Sequence, residues 1–367
     1  MPQHYDVIIA GTGPGGGMAA NLLGRAGCKV LVIERQRLPR YKPCAGGMPA
    51  NVFAQLPAAC AQAIERRVSH VRFQLGREQI THELHGDPIV MVRREQFDYL
   101  LTTQARAEIH DNEGITGVEL GPTGILVRTA RGESYHADHV IAADGAFSTV
   151  ARSVGLRQGC EVGPAIEAEI PVPPAILEPY TDTSLFLFGT VRQGYVWVFP
   201  KSDYVSFGIG AYRGTGDGLR TRLQQAAQQL GLPTTGWRPR GHGLPLYRRG
   251  EPLQRGHILL VGDAAGLMDP LSGEGIRHAL HSARLASEAI LAGEEGLAAY
   301  TRRVHQQIGS HLQAGLWLAR LFYGATPLCF RIGVRSPAVV DAMFRMLNGE
   351  VTYRQLLARV PGYLLKR

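Results

Sequence analysis

Residues 5–16 read YDVIIAGTGPGG, an apolar run that passes directly into the glycine pattern G-x-G-x-x-G. The apolar run predicts a buried parallel strand, and the pattern of residues 18–27 predicts the helix that follows it. A second apolar run at residues 29–33 completes a strand–helix–strand unit. This unit is typical of a doubly wound α/β fold, in which a dinucleotide binds at the turn between the first strand and the helix.

The three glycines of the turn have separate roles in such a fold. Gly11 permits the tight turn, Gly13 lets a pyrophosphate approach the backbone, and Gly16 lets the helix pack closely against the strand. Glu34 follows the second strand, at the position where a carboxylate accepts hydrogen bonds from the adenosine ribose. These four residues therefore predict a dinucleotide site, and by themselves they leave NAD and FAD open.

A second glycine-rich segment, VGDAAGLMDPLSGEGI at residues 261–276, indicates which dinucleotide binds. Asp263 ends a short apolar strand, where its carboxylate can hold a ribityl hydroxyl or a water beside the pyrophosphate. Residues 271–276 open a helix, and N–H groups at a helix start stabilise the negative N1–C2=O edge of a reduced flavin. Arg94 begins a helix between the two segments and is either a cofactor ligand or an exposed arginine. The pair of segments favours FAD.

The chain has 367 residues, 45% of them hydrophobic, which is enough for two or three packed domains. Its formal charge of +8 suits an anionic membrane surface or substrate, and the lack of a nucleic-acid motif argues against nucleic acid. The five cysteines have no disulfide or zinc spacing, and the histidines have no metal spacing. With no signal peptide and no long apolar run, we expect a cytoplasmic protein without a metal site or a membrane span.

The order of the predicted elements divides the chain into three parts. Residues 1–68, 92–160 and 250–295 are predicted to form a discontinuous Rossmann-type FAD-binding domain, with one helix over residues 94–107. Residues 69–91 and 161–249 are predicted to form an inserted antiparallel-sheet domain for the substrate, because Pro and Gly separate short alternating runs. Residues 296–367 are predicted to form a C-terminal helical region. The expected fold class is therefore α/β with an inserted sheet.

Four segments resemble the geranylgeranyl reductase family, in the hydroxylase-like branch of the glutathione-reductase-type flavoproteins. They are YKPCAGGMP at residues 41–49, RREQFDYLL at 93–101, GYVWVFPK at 194–201 and VTYRQLL at 351–357. The resemblance implies a tightly bound FAD, NADPH or NADH as a transient reductant, and hydride delivery to double bonds of a hydrophobic prenyl substrate. By position, it places cofactor contacts at Gly16, Glu34, Cys44, Ala45, Arg94, Ile115, Asp263, Gly275 and Ile276.

Cys44, Tyr195 and Trp197 are the candidate catalytic residues. The resemblance places Cys44 in a loop over the flavin, where a thiol either donates a proton or packs against the ring. Tyr195 and Trp197 alternate along a predicted strand and therefore face the same side, either as walls of a prenyl tunnel or as core residues. Lys42 and Lys201 are either ligands of an anionic group or solvated cations. The proton donor is left open among Cys44, Tyr195 and water.

Other activities on the same fold are open at this point. An FAD-dependent monooxygenase or halogenase is the first alternative, and an electron-transfer flavoprotein that passes electrons from a protein donor to quinone is the second. A third is a flavin protein without net redox turnover. The C-terminal segment carries apolar residues interspersed with arginines. Its helices therefore either lie on an anionic membrane surface or pack on the rest of the protein.

Overall fold

The computed structural model describes residues 3–84, 89–122 and 124–358. Within these ranges the strands are β1 Gln3–Ala10, β2 Val30–Ile33, β3 Gly47–Pro49, β4 Ile64–Val68, β5 His70–Leu75, β6 Glu78–Glu83, β7 Ile89–Val92, β8 Glu108–His110, β9 Ile115–Gly121, β10 Gly124–Thr129, β11 Ser134–Ala142, β12 Val162–Pro171, β13 Thr183–Phe188, β14 Gly194–Pro200, β15 Tyr204–Ala211, β16 Arg240–Pro245, β17 Gln254–Arg255 and β18 Ile258–Leu260.

The α-helices in the same ranges are α1 Pro14–Arg25, α2 Ala50–Phe53, α3 Arg94–Thr103, α4 Thr149–Ser153, α5 Pro174–Leu177, α6 Leu219–Gln229, α7 Ile276–Leu291, α8 Gly293–Val304, α9 Ser310–Gly324, α10 Thr326–Cys329 and α11 Pro337–Leu347. Short 3-10 helices cover Ala58–Ala63, Glu178–Tyr180 and Gly262–Ala265, and π-helical turns cover His305–Gly309 and Phe330–Val334. Residues 353–358 are also helical.

The first sheet carries the strand–helix–strand unit. Its strands run in the order β17-β18-β11-β1-β2-β8, and β10 and β9 continue from β11. Strand β1 pairs in parallel with β2 and with β11, and β8 and β18 extend the parallel part on either side. Residues 7–10 and 30–33 are buried throughout, as expected of parallel strands whose faces are covered by helices. Helix α1 packs against α3 and α7, and the predicted α/β fold class is confirmed.

The inserted sheet has seven strands in the order β16-β12-β15-β14-β13-β5-β6. Its pairs are antiparallel except β13 and β5, which pair in parallel and join residues 70–83 to the later strands. A third, three-stranded sheet has the order β3-β7-β4. Strand β7 therefore pairs outside the inserted sheet, although it belongs to the segment 69–91. The domain boundaries stay predictions.

One predicted helix is too long. Helix α3 ends at Thr103 instead of residue 107, and β8 follows at the edge of the parallel sheet, where its residues pair with Leu31–Ile33 of β2. A strand of three residues is too short to show an alternating pattern, so periodicity does not reveal it. The same reason explains why β3 was not expected in the loop of residues 35–49.

The C-terminal helices cover one side of the inserted sheet. Phe322 and Phe330 pack against Phe188 of β13, with ring centroids 5.1 Å and 6.5 Å apart. The outer side of α9 remains open to solvent at Trp317 and Leu321, which are 62% and 60% exposed. Among the described residues, no helix is both long and apolar enough to cross a membrane. These helices thus pack on the protein by one face and present an apolar second face.

Candidate active site

A cavity of about 410 Å³ is lined by residues of both large sheets. At one end lie the turn after β1, Glu34 and Arg94, and at the other lie aromatic residues of the inserted sheet and the C-terminal helices. The residues predicted from sequence that line it are Gly11, Gly13, Glu34, Cys44, Ala45, Arg94, Ile115, Tyr195, Trp197, Asp263, Gly275 and Ile276. Gly16, the remaining predicted residue, is buried in α1 beneath the turn.

The glycine turn after β1 is sterically tight on one side and open on the other. Gly11 has a φ of +96°, and a Cβ atom there would lie 2.6 Å from the carbonyl oxygen of Ala143. A Cβ atom at Gly16 would lie 1.9 Å from the carbonyl oxygen of Gly11, so only glycine lets α1 approach the turn this closely. A Cβ atom at Gly13 would meet nothing within 4 Å. The open space at Gly13 leaves room for a phosphate against the backbone.

Glu34, 4% exposed, fastens the end of β2 to this turn. Its Oε2 accepts hydrogen bonds from the Thr12 backbone N–H at 3.0 Å and from the Thr12 hydroxyl at 2.7 Å, and Arg40 Nε lies 3.1 Å away. Burial raises the pKa of Glu34, but the Arg40 charge and the Thr12 hydrogen bonds lower it. The pKa of Glu34 therefore lies below its ordinary value. Glu34 is therefore an ionised hydrogen-bond acceptor beside the turn.

Arg94 is buried at the start of α3 rather than exposed. Its Nε and Nη2 each donate to the Asp98 carboxylate at 2.9 Å, and Arg40 Nη1 donates to the same carboxylate at 3.1 Å. Arg40 bridges Asp98 and Glu34, so one buried ion network joins the start of α3 to the end of β2. The guanidinium of Arg94 lies at the cavity wall with its geometry set by two charge-assisted hydrogen bonds.

Asp263 belongs to a second polar cluster that lines the cavity. His242 Nε2 lies 3.2 Å from Asp263 Oδ2, and Lys42 Nζ lies 3.1 Å from His242 Nδ1. Burial raises the pKa of Asp263, but the His242 hydrogen bond and the charges of Lys42 and Arg94 lower it. The net effect is a pKa below the ordinary value. Lys42 lines the same cavity, where burial lowers its pKa to about 8. Asp263 is thus an ionised acceptor among donors, which suits the hydroxyls of a ribityl chain.

The loop that precedes α7 is held by buried groups from distant segments. Asp269 Oδ1 accepts from the backbone N–H groups of Leu271 and Ser272 at 2.9 Å each. The hydroxyl of Tyr353 lies 3.0 Å from both Asp269 carboxylate oxygens and donates to them, and Tyr323 donates to the Leu271 carbonyl at 2.8 Å. These contacts fix the loop that leads to the first residues of α7 at the cavity wall.

Three aromatic residues line the cavity from alternate positions of β14, namely Tyr195, Trp197 and Phe199. The Tyr195 hydroxyl donates to the Ser272 carbonyl, and burial raises the pKa of Tyr195. The indole of Trp197 lies across β15, because a Cβ atom at Gly208 would come within 2.1 Å of Trp197 Cζ2. The sheet therefore presents a continuous aromatic surface to the cavity, next to the loop held by Tyr195.

Cys44 lies in the loop before β3. Its Sγ accepts from the Gly46 backbone N–H at 3.4 Å, and Gly46 has a φ of +67°. A Cβ atom at Gly46 would lie 2.2 Å from the Val92 carbonyl oxygen, so the loop presses directly on β7. Lys201, 2% exposed, donates to that carbonyl at 2.7 Å, and burial lowers the pKa of Lys201 to about 8. Lys201 is therefore a buried donor to the backbone, and the interpretation as a solvated cation is wrong.

Sequence reasoning missed several side chains that complete this site. A signal existed for Asp98, which lies four residues after Arg94 and therefore on the same helix face. Each of the others has at least one partner that is distant in sequence, and no local spacing reveals that contact. These residues are Arg40, Glu167, His242, Asp269, Tyr323 and Tyr353.

The residues present fit FAD. The open backbone at Gly13 and the ionised Glu34 suit the adenosine end, Asp263 with its polar neighbours suits the ribityl chain, and the fixed loop before α7 suits the flavin edge. All three regions line the same cavity. Across residues 3–84, 89–122 and 124–358, no group of three or more His, Cys, Asp or Glu side chains is placed to hold a metal ion.

Comparison with known proteins agrees with this fit. A family model of an FAD binding domain matches residues 4–179. Geranylgeranyl diphosphate reductase of Oryza sativa is 32% identical over 400 residues, covering 100% of this chain and 82% of the rice protein. Digeranylgeranylglycerophospholipid reductase 2 of Methanothermobacter thermautotrophicus is 28% identical over 382 residues, covering 95% of this chain and 93% of that protein.

A solved structure shares the fold over the full length. The geranylgeranyl bacteriochlorophyll reductase-like protein of Thermoplasma acidophilum superposes with a TM-score of 0.77 at 22% identity, covering 100% of this chain and 97% of that chain. The match includes the parallel sheet, the inserted sheet and the C-terminal helices. From this fold, the FAD-binding match and the identity to the rice reductase, we conclude that the chain belongs to the geranylgeranyl reductase family of FAD-dependent oxidoreductases.

Proposed function

We propose that this oxidoreductase saturates carbon–carbon double bonds of a prenyl chain, with electrons that FAD receives from NADPH or NADH. One observation carries the proposal: the cavity that fits FAD continues into an aromatic and aliphatic end lined by Phe186, Tyr195, Trp197, Phe199, Phe344 and Leu347. A prenyl chain has no polar atoms along its length, so such walls bind it without leaving a donor unpaired. Bound FAD supplies hydride chemistry at this junction. The names of the rice and Methanothermobacter relatives, both prenyl reductases, support the substrate class.

Residues of the chain bind and orient the substrate in this proposal. Trp197 and Phe199 form the wall along which the prenyl chain lies. Tyr195 has its hydroxyl proton engaged by the Ser272 carbonyl, so it positions the loop before α7 and shapes the wall instead of donating a proton. In this proposal Cys44, which lines the cavity from the loop before β3, lies beside the bound cofactor.

The test is an anaerobic reaction of the dithionite-reduced holoenzyme with geranylgeranyl diphosphate, followed by mass spectrometry. The expected product gains mass in steps of two hydrogens. Gain of oxygen in air, or of halogen, supports a monooxygenase or halogenase and overturns the proposal. An unchanged prenyl chain with reduction of an added quinone points to an electron-transfer flavoprotein. Anaerobic bleaching of the flavin by NADPH and by NADH, compared with a protein donor, identifies the reductant.

Two tryptophan variants provide a matched control for the apolar end. Trp197→Phe changes the cavity wall, whereas Trp237→Phe changes an indole that donates to the Pro233 carbonyl at 2.7 Å and packs against the core of the inserted sheet. We expect W197F to lose prenyl turnover while retaining FAD, and W237F to retain both. Equal turnover in the two variants would argue that the aromatic end does not bind the substrate.

A prenyl substrate also favours a membrane-binding surface on the C-terminal helices. The outer patch, defined here as Trp317, Leu321, Leu328 and Ile332, is 62%, 60%, 58% and 38% exposed. Arg320 lies over the Trp317 ring at 5.4 Å, and Arg331 is exposed beside the patch. Exposed apolar side chains with a tryptophan and arginines suit the interface of an anionic bilayer. Tyr323 of the same helix lines the cavity, which places the patch close to the path of a lipid-borne substrate.

Vesicle sedimentation tests whether the outer patch binds a membrane. We expect binding to phosphatidylserine vesicles that weakens with salt and is lost in the double variant Trp317→Ser/Leu321→Ser. Leu120→Ser is the control, because Leu120 is 47% exposed on β9, outside the patch. Equal binding by the double variant and the control, or no binding by the unaltered protein, would refute the membrane surface.

A further inference from the structure

Glu167 is a buried carboxyl group in the cavity wall that the proposed reaction has not yet used. It lies on β12, is 3% exposed and lines the same cavity as Trp197. The strand register pairs Glu167 with Gly208 of β15, and Gly208 with Trp197 of β14. Because Gly208 has no side chain, the indole extends over it toward β12. The acid and the aromatic wall therefore share one patch of the inserted sheet.

Hydrogen bonds tie Glu167 to this wall and to the loop that carries Cys44. Glu167 Oε1 accepts from the Ser206 hydroxyl at 2.9 Å, and Trp197 Nε1 donates to the same hydroxyl at 3.3 Å. Glu167 Oε2 accepts from the Tyr41 hydroxyl. The carboxyl group is thus held from both sides in one orientation, and Tyr41, which is only partly buried, connects it toward solvent.

The cations that the structure describes near Glu167 form no ion pair with it, although the charge of Lys201 favours the carboxylate. Among the described residues, Glu167 has no ion pair within 4 Å. Lys201 donates to the Val92 carbonyl, and Arg240, the partner of Glu167 on β16, stacks on the Tyr41 ring at 4.8 Å. Glu169, two residues along β12, adds a like charge. A buried carboxylate without a cation is costly, so the neutral acid is favoured. Burial, opposed by the Tyr41 and Ser206 hydrogen bonds, raises the pKa of Glu167 to about 7.

We propose that Glu167 is the acid that protonates the prenyl double bond, a step that rests on the proposed reductase function. The double bond accepts a hydride at one carbon. The reduced nicotinamide is the source of its electron pair, which passes through the flavin. The O–H bond of Glu167 breaks and a C–H bond forms at the neighbouring carbon, which leaves the carboxylate. The proton returns from solvent by way of Tyr41, so that one hydride and one proton add across each double bond.

The sign of the pH dependence follows from the protonation state. Glu167 holds its proton below its pKa, so the rate of double-bond reduction is highest at acid pH and falls as pH rises through about 7. Glutamine keeps the shape and the acceptor oxygen but has no acidic proton. Removal of a general acid costs about 10²–10⁴-fold in rate, so Glu167→Gln is expected to lose at least about 100-fold and to lose the pH dependence.

The experiment compares the unaltered holoenzyme with E167Q and E169Q. Glu169→Gln is the matched control, since Glu169 is an exposed glutamate on the same strand. Single-turnover reduction of geranylgeranyl diphosphate by pre-reduced enzyme is measured from pH 5 to pH 9, and FAD content and circular dichroism verify the fold. Independently of turnover, infrared difference spectra of the protein between acid and alkaline pH report a carboxylic acid band, which we expect in the unaltered protein and in E169Q but not in E167Q.

Each outcome decides one question. If the unaltered enzyme yields no reduced product, the proposed function fails, whatever the infrared spectra show. If it yields product and E167Q matches its rate and pH profile, Glu167 is not the acid. If Cys44→Ala, and not E167Q, removes the fall in rate above about pH 7, the proton comes from the thiol and the proposal is overturned. If E167Q does not fold, absence of a titrating acid band near neutral pH in the unaltered protein still refutes it.

Discussion

Removing the charge of Asp98 tests the buried ion network that links α3 to β2. Asp98 is fully buried and receives three hydrogen bonds from guanidinium groups, two from Arg94 at 2.9 Å and one from Arg40 at 3.1 Å. Asp98→Asn keeps the volume, but places an amide N–H₂ against a guanidinium donor. Arg40 keeps its ion pair with Glu34. Arg94 loses the ion pair with Asp98, its one ion pair among the described residues.

The expected cost follows from this geometry. Breaking a buried ion pair by neutralising one partner costs about 3–5 kcal/mol, because the other charge stays buried without compensation. The control is Glu119→Gln, which breaks the ion pair between Glu119 and Arg128, whose side chains are 59% and 49% exposed. Exposed pairs contribute about 0–1 kcal/mol, so the loss in free energy of unfolding should be severalfold larger for Asp98→Asn than for Glu119→Gln.

Equilibrium urea unfolding of the FAD-free protein, followed by circular dichroism, measures both variants without stabilisation by the ligand. We expect the free energy of unfolding to fall by about 3–5 kcal/mol in D98N, and by less than about 1 kcal/mol in E119Q. The double variant Arg94→Met/Asp98→Asn should recover part of the loss, since it leaves no unpaired charge. A loss in D98N no larger than that in E119Q would refute the reasoning.

Three further substitutions test single contacts of the site. Gly16→Ala places a Cβ atom 1.9 Å from a backbone carbonyl oxygen, so the purified variant should contain no FAD, as its absorbance spectrum will report. Gly208→Ala places a Cβ atom 2.1 Å from the indole of Trp197. Tryptophan emission should therefore shift, and prenyl turnover should fall while FAD is retained. Tyr353→Phe removes the hydroxyl 3.0 Å from Asp269, so the free energy of unfolding should fall by about 1.5–3 kcal/mol and FAD should bind more weakly in a titration.

Matched controls separate these effects from general damage. Gly117→Ala, where a Cβ atom would meet nothing within 4 Å, should keep FAD, and Tyr99→Phe changes a tyrosine that is 37% exposed. Retained FAD in the Gly16 variant would show that the turn relaxes. Unaltered emission and turnover in the Gly208 variant, or unaltered stability and FAD affinity in the Tyr353 variant, would contradict the corresponding contact.

The residues predictable from sequence are those whose roles depend on near neighbours. Gly11, Gly13 and Gly16 act within one turn, and the close approach of Gly16 to the Gly11 carbonyl follows from their spacing, whereas the contact of Gly11 with Ala143 needs the tertiary fold. Tyr195 and Trp197 are two positions apart on a strand, so their common face follows from the pleat. The end of α3 was misplaced because β8 forms by pairing with β2, which no local pattern encodes.

Burial decided the chemistry of the charged side chains. Lys42 and Lys201 are ordinary cations by composition, but burial in the cavity wall and beneath the Cys44 loop lowers the pKa of both to about 8. Glu167 is one of several glutamates in the sequence, and nothing near it distinguishes it. Its raised pKa results from burial in the cavity wall, against the lowering effect of the hydrogen bonds from Tyr41 in the loop before β3 and from Ser206 of β15.

The sequence by itself determined the strand–helix–strand unit, the two glycine-rich segments and the aromatic alternation of β14, because each depends on backbone geometry within a few residues. Only the tertiary structure decided which polar groups meet at the cavity. Tyr41 and Glu167 are 126 residues apart, and Asp269 and Tyr353 are 84 residues apart. Contacts over such separations form when the sheets and the C-terminal helices pack together, and the same packing excludes the water that would otherwise leave Tyr41, Glu167 and Tyr353 with ordinary pKa values.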